Sequence, residues 1–171
     1  MTMYRTGRLL LRPGRREDAP ALFRAIADRD IVRNLASAPW PYSLADAEIL
    51  ASLEFNAKEP RLFIFREDPG PAELIGVAGL DRMPSGDVEL GYWIAKQHWN
   101  RGYASEAGRQ MIEIAGTELK LTRLVAGYFI DNPASGRVLE KLGFVPASGP
   151  VDRNSRARGG VASCQMCTLD L

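Results

Sequence analysis

The stretch Glu89-Leu90-Gly91-Tyr92-Trp93-Ile94-Ala95-Lys96-Gln97-His98-Trp99-Asn100-Arg101-Gly102-Tyr103-Ala104-Ser105 decides the reading of this chain. Its first part is a β-strand ending at Ile94-Ala95. After a short turn, Gly102 opens a helix to Thr117, with Ala104, Ala107, Met111, Ile112 and Ala115 on one side and Glu106, Arg109, Gln110 and Glu113 on the other. A strand that feeds a helix through small residues turns unpaired backbone N–H groups outward at the positive end of the helix dipole, a geometry that suits a phosphate. Gly102 lets a bulky anion approach the main chain and Ala104 keeps the next amide unshielded, while Arg101 and Ser105 add side-chain donors. A glycine at such a turn also serves purely structural ends, so these residues alone leave both readings open.

Working outward, Arg8-Leu9-Leu10-Leu11-Arg12-Pro13 is an apolar run stopped by proline, a first strand. Two helices follow. The first has Glu17 and Asp18 in its first turn and Leu22 and Ile26 at helical spacing; the second runs from the N-cap Ser43, with Asp46 three residues on, through Ile49, Leu50 and Leu53 to Ala57. The period then changes to that of strands: 61–66, a turn at Asp68-Pro69-Gly70-Pro71, 73–81, a turn at Pro84-Ser85-Gly86, and 87–95 form an antiparallel meander. Beyond the central helix come a strand over 122–129 and a helix from Asn132-Pro133 to Gly143. A strand at Phe144-Val145, a polar loop from Asp152 to Gly160 and a last strand close the chain. The expectation is one domain over 1–171 with a mixed α/β layer fold (α+β): a mostly antiparallel sheet of six or seven strands.

Composition narrows the function classes. Lys plus Arg number 22 against 21 acidic residues, so the +1 balance gives no electrostatic footprint for nucleic acid. The opening carries no secretory signal and no apolar run approaches the roughly 20 residues of a membrane span, which points to no membrane partner and a cytoplasmic location. Cys164 and Cys167 form a C-x-x-C, but on a strand this odd spacing puts them on opposite faces, unlike a redox pair opening a helix. His98 is the sole histidine, so further zinc ligands are lacking and no metal is expected. Its place in the turn suggests an exposed side chain without chemistry.

The window Trp99-Asn100-Arg101-Gly102-Tyr103-Ala104 resembles motif A, R/Q-x-x-G-x-G/A, of the GNAT superfamily of acetyl-CoA-dependent N-acyltransferases. Tryptophan stands where many members have Arg or Gln, which is similar to the ribosomal-protein (RimJ/RimL-type) branch. So are Glu89-Leu90-Gly91-Tyr92-Trp93 before it and Asn132-Pro133-Ala134-Ser135 after it, while Leu139-Glu140-Lys141-Leu142-Gly143-Phe144 resembles motif B. The order of elements agrees from Arg8 to the C-terminus. The resemblance implies helices on both faces of the sheet, and two strands that splay, one ending at Ile94-Ala95 and the other at Val125. Pantetheine would lie along the edge at Trp93, Ile94 and Ala95, and an amide near Ile94 would hold the thioester carbonyl. Arg101, Gly102, Tyr103, Ala104 and Ser105 would grip the pyrophosphate.

Attack by an amine requires it neutral, so a base is expected. The resemblance implies Glu89, whose plain alternative is a strand carboxylate in solvent or paired with an arginine; Asp81 and Asp87 are weaker substitutes. Many members place a tyrosine seven residues after the motif asparagine to protonate the departing thiolate, but here that position is Leu139. The role passes to Ser135 as a hydrogen-bond donor to sulfur, and Asn132 caps its helix or touches pantetheine. Trp40 is read as a pocket wall or a loop anchor, and Arg153, Arg156 and Arg158 as a solvated mobile loop. The implied activity is direct acetyl transfer from acetyl-CoA to a protein N-terminus or small-molecule amine, by a monomer or homodimer. The alternative is a noncatalytic acyl-CoA-binding regulatory domain on the same scaffold.

Overall fold

The computed structural model describes residues 2–171. In chain order the elements are β1 (Tyr4–Arg5), β2 (Leu9–Arg12), α1 (Ala19–Ile26), α2 (Arg29–Val32), α3 (Leu44–Ala51), β3 (Arg61–Arg66), β4 (Glu73–Arg82), β5 (Val88–Ile94), α4 (Tyr103–Thr117), β6 (Arg123–Phe129), α5 (Pro133–Lys141), β7 (Val145–Pro146), β8 (Val151–Ser155) and β9 (Gly160–Asp170). The sheet order is β1-β2-β3-β4-β5-β6-β9-β7, with β8 also paired to β9. Every pairing is antiparallel except β5 with β6. Nine strands replace the expected six or seven. The additions are the two-residue β1, too short to show a period, and β8, whereas β7 is the strand expected at Phe144-Val145, shifted by one residue.

Side-chain alternation gives the sheet two apolar faces. Val88, Leu90 and Ile94 of β5 pack with Met111, Ile114 and Leu139 of α4 and α5, whereas Trp93 packs with Leu22, Ile26 and Tyr42 on the side of the N-terminal helices. Each fully buried Leu or Ile stabilises the fold by about 1.5–3 kcal/mol. The two layers therefore clamp β5 from opposite sides, and β5 carries the decisive sequence. Among the described residues no helix is long and apolar enough to cross a membrane.

Local chemistry sets the element ends. Ser43 Oγ accepts the Asp46 N–H at 3.1 Å while Asp46 accepts the Ser43 N–H at 2.8 Å, the reciprocal cap that its sequence indicated. The helix ends at Ala51 rather than Ala57. Beyond it, Asn56 Oδ1 accepts the Lys58 N–H at 3.0 Å, a local turn that competes with further helix. The supposed polar loop from Asp152 to Gly160 is largely a hairpin: β8 pairs with β9 from Val151 opposite Cys164 to Ser155 opposite Gly160. Its polar text conceals a strand because its ladder partner, not its own apolar face, holds it in place. Arg153 and Arg158 are held by partners rather than in a solvated mobile loop, while the Arg156 side chain is exposed. Arg158 Nε donates to Arg33 O at 2.7 Å, Nη1 to Asp131 at 2.7 Å, and the guanidinium lies 4.3 Å from the Phe129 ring centre.

Gly76 lies beside a register shift where Ile64 faces Gly76 but Phe65 faces Leu74, leaving Ile75 as an extra residue in β4. A Cβ at Gly76 would stand 2.2 Å from the Trp93 carbonyl oxygen, a backbone atom that cannot step aside. Gly76→Ala is expected to lower unfolding stability by about 1–3 kcal/mol through this overpacking, measured as a reduced urea midpoint at unchanged m-value.

Candidate active site

The site begins where two strands part. Residues 76–82 of β4 pair along β5, but β5 and β6 share only the register Glu89 with Val125. The Ala95 N–H donates to Ile75 O at 2.7 Å, so alternation along β5 turns the N–H of Ile94 away from β4 and into the gap before β6. The gap opens into a cleft of about 970 Å³ that reaches from the α4 N-terminus to α3. Trp93 and Ile94 line it. Ala95 does not: it is fully buried and its N–H is engaged by β4, which corrects its assignment to the cofactor edge.

At one end of the cleft the chain turns through Asn100 (φ 60°) and Gly102 (φ 79°) into α4. The left-handed φ at Gly102 is one that glycine adopts freely, and an added side chain would be strained there. Gly102 at the cap position gives no side-chain cap hydrogen bond, and the first intrahelical donor among the described residues is Glu106 N–H to Gly102 O at 3.0 Å. The N–H groups of Tyr103, Ala104 and Ser105 therefore have no helical acceptor, and these residues line the cleft with Arg101 and Gly102.

The turn is held from behind by the N-terminal strands. Arg8 Nη1 donates to Arg101 O at 2.9 Å, its Nε to Glu106 at 2.7 Å, and its guanidinium lies 4.5 Å from the Tyr103 ring centre. Thr6 Oγ1 also donates to Glu106. Trp99 Nε1 donates to Ile94 O at 2.7 Å and so ties the turn to the end of β5. This bond explains what tryptophan does in the motif window, a role that needed the fold to be seen.

On the opposite wall, Glu89 shares its face of β5 with Gly91 and Trp93. Its carboxylate receives both ends of the Arg153 guanidinium, Nη1 to Oε1 and Nη2 to Oε2 at 2.7 Å. The hydrogen bond to Glu89, working against desolvation, drives the Arg153 pKa upward, so this guanidinium stays charged. Gly127 makes the reach possible, since a Cβ there would meet Met166 Sδ at 2.7 Å and Arg153 Nη1 at 3.1 Å. Asp81 pairs with Arg61 at 2.7 Å on the same wall, and Asp87 accepts from Ser85 at 3.0 Å in the hairpin turn, outside the cleft. Cys164 lines the cleft beside Arg153 and Cys167 packs in the core under α4, on opposite faces as their spacing required.

The third wall is the start of α5. Asn132 occupies the cap position but its side chain makes no cap hydrogen bond, which corrects the capping reading, and the residue lines the cleft. Ser135 lies in the first turn, its Oγ 3.1 Å from the Tyr92 hydroxyl. Burial pushes the Tyr92 phenol up to about 12, although its bond to Ser135 acts in the other direction. Leu139 is buried beneath them. Tyr92 was not singled out from sequence, since an aromatic residue on a strand is read as core.

Two further expectations change. His98 is buried rather than exposed: the turn packs it against the start of β4, where His98 Nε2 lies 3.0 Å from Glu73 Oε1, and edge-on to the Tyr103 ring. Trp40 stays half-exposed and does not line the cleft; Tyr42, two residues on, does.

A profile of the acetyltransferase (GNAT) domain matches residues 8–145, and the chain belongs to that family. The uncharacterized N-acetyltransferase YoaA of Bacillus subtilis (strain 168) is 33% identical over 146 residues, covering 81% of this chain and 80% of the relative. The crystal structure of a GNAT-family acetyltransferase from Bacillus anthracis superposes with a TM-score of 0.83 at 20% identity, over 99% and 98% of the two chains. A RimL ribosomal L7/L12 α-N-protein acetyltransferase in complex with coenzyme A superposes with a TM-score of 0.79 at 17% identity, over 99% and 98%. The protein is an acetyltransferase, and its mixed, mostly antiparallel sheet is the fold of that family.

The clamp behind the turn has a pH signature. Burial works against charge on Glu106, but hydrogen bonds from Thr6 and Arg8 outweigh it and hold its carboxyl below the ordinary range. A folded-state pKa below the unfolded one stabilises the fold above about pH 4.3, and this contribution is lost as pH falls through the folded value. Urea midpoints of wild type and Glu106→Gln are therefore expected to differ most near neutrality and to converge towards pH 3.

Proposed function

We propose that this acetyltransferase moves the acetyl group of acetyl-CoA directly to a primary amine, with no acyl-enzyme. The observation that carries the reading is one continuous cleft holding three chemistries: the inward N–H of Ile94, the uncapped start of α4, and the carboxylate of Glu89 on the facing wall. The RimL relative, which is bound to coenzyme A, supports the same donor here.

In this reading the N–H groups of Tyr103, Ala104 and Ser105, the Ser105 hydroxyl and the Arg101 guanidinium hold the pyrophosphate, which Gly102 lets approach the backbone. Trp93 and Ile94 line the pantetheine arm and Asn132 donates to one of its amides. The Ile94 N–H donates to the thioester carbonyl and strengthens that bond as the oxygen becomes an oxyanion, a contribution of about 3 kcal/mol for such donors. Glu89 takes the proton of the attacking amine, directly or through a water. Arg153 occupies one direction on each carboxylate oxygen and fixes the plane of the group, leaving the remaining lone pairs towards the cleft. Ser135 donates to sulfur as the carbon–sulfur bond breaks.

The acceptor is a protein N-terminus or a small-molecule amine. Its side of the cleft is bounded by Ile31, Leu35, Tyr42 and Leu50, a mostly apolar surface. We place the enzyme in the cytoplasm as a single domain over 1–171, monomeric or homodimeric, acting without a metal.

Thiol release from acetyl-CoA with a panel of small amines and N-terminal peptides tests the reading. Glu89→Gln is expected to lower kcat by about 100-fold, the usual size of a general-base contribution, with coenzyme A affinity unchanged by calorimetry. Full activity in Glu89→Gln would remove the base assignment. Gly102→Val, which places a side chain at a left-handed φ in the phosphate turn, is expected to weaken coenzyme A binding by at least about tenfold, a loss of about 1.4 kcal/mol.

A further inference from the structure

The reaction described above leaves the partly buried Tyr92 hydroxyl unused. Tyr92 is placed on the α5 side of β5, and among the described residues its hydroxyl has hydrogen-bond partners only on Ser135: Oγ at 3.1 Å and the carbonyl oxygen at 3.4 Å. A phenol withdrawn from water makes a hydrogen bond because leaving it unpaired costs free energy. A serine hydroxyl has one proton and rotates to suit its strongest acceptor. Which way the Ser135 proton points therefore depends on which partner donates within this pair.

We infer that Tyr92 is a positioning residue for the leaving group: its phenol donates to Ser135 Oγ, so that the Ser135 proton is turned away from the phenol and towards the departing sulfur. The inference rests on the proposed transfer from acetyl-CoA and deepens it. The phenol that the helix lacks at Leu139 is thus supplied from the strand, one residue removed from the sulfur. Geometry favours this direction of donation. The reverse arrangement would spend the Ser135 proton on Tyr92 and leave the phenol proton only the longer contact to the Ser135 carbonyl.

The electron count is simple. The amine nitrogen forms the new bond to the acetyl carbon and loses a proton to Glu89 or its water. The carbon–oxygen double bond re-forms as the carbon–sulfur bond breaks, and sulfur leaves with the electron pair. A phenol with this affinity for its proton does not surrender it to a thiolate, which is the weaker base. No proton changes owner between Tyr92, Ser135 and sulfur; the chain of two hydroxyls stabilises the developing charge by hydrogen bonding, and the free thiolate is protonated by water after release. Each bond in such a chain polarises the next.

The test is steady-state kinetics of wild type, Tyr92→Phe, Ser135→Ala and the double variant with acetyl-CoA and with its selenoester analogue, whose selenolate is a weaker base and leaves without help. With acetyl-CoA, Tyr92→Phe is expected to lose about five- to tenfold in kcat, with KM for the donor within about twofold of wild type, the size of one neutral hydrogen bond. The double variant is expected to match Ser135→Ala, because Tyr92 acts only through the serine. With the selenoester the Tyr92→Phe defect should shrink to within about twofold, a readout that a merely structural role would leave unmoved. Tyr92→Phe equal to wild type, losses that multiply in the double variant, or an equal defect with both donors would each overturn the inference while leaving wild-type turnover, and the function proposed above, intact. No thiol release by wild type with any amine would remove both.

Discussion

Everything at this site depends on β5 and β6 agreeing at a single register and then separating. A continuous ladder would have consumed the N–H of Ile94 and closed the sheet, leaving no slot for a cofactor arm. Separation is a costly state for a strand interior, because unpaired main-chain groups away from water are unfavourable. The fold distributes that cost. One side of β5 is fully laddered to β4, both its faces are packed into separate apolar clusters, and its last carbonyl in the gap is satisfied by the Trp99 indole. The strand is paired or packed on every side except along the edge that faces the cleft.

The same logic runs through the turn that follows. An uncapped helix start with a left-handed glycine is a weak piece of structure on its own, and Arg8 and Glu106 compensate by fixing it to the N-terminal strands from the side opposite the cleft. On the facing wall, the Arg153–Glu89 pair connects the final hairpin to the central strand. Removing either partner would leave the other partly buried and uncompensated, so the pair joins the last elements of the chain to the chemistry of the middle ones. The N-terminal strands and the last hairpin therefore support a site whose proposed reacting and phosphate-binding groups lie between residues 89 and 135.

Much of this was legible in the sequence, and the reasons differ by residue. The strand-turn-helix from Glu89 to Ser105 shows itself through periodicity and small residues, which are local properties. Glu89 and Ser135 came from the family resemblance and Gly102 from the strand-to-helix turn, and all three line one cleft. Arg153 was hidden because its text, Asp152-Arg153-Asn154-Ser155, reads as loop, and only its ladder with β9 makes it a strand whose third residue reaches β5. His98 was misjudged and Tyr92 passed over for the same physical cause: burial and partner choice are set by elements far away in sequence, Glu73 in one case and Ser135 in the other. Ala95 shows the complementary error, since a shift of one residue along a strand turns an available amide into a laddered one.

The central claim is that unpaired main-chain donors at the end of β5 and the start of α4 receive the cofactor. Its most direct test is titration of the ¹⁵N-labelled protein with coenzyme A, following every backbone amide. The account predicts that the largest shifts, and a matching slowing of hydrogen exchange, fall on Ile94 and on Tyr103, Ala104 and Ser105, while the Ala95 amide, bound to Ile75, changes little. Saturable binding that leaves those four amides unmoved would contradict it.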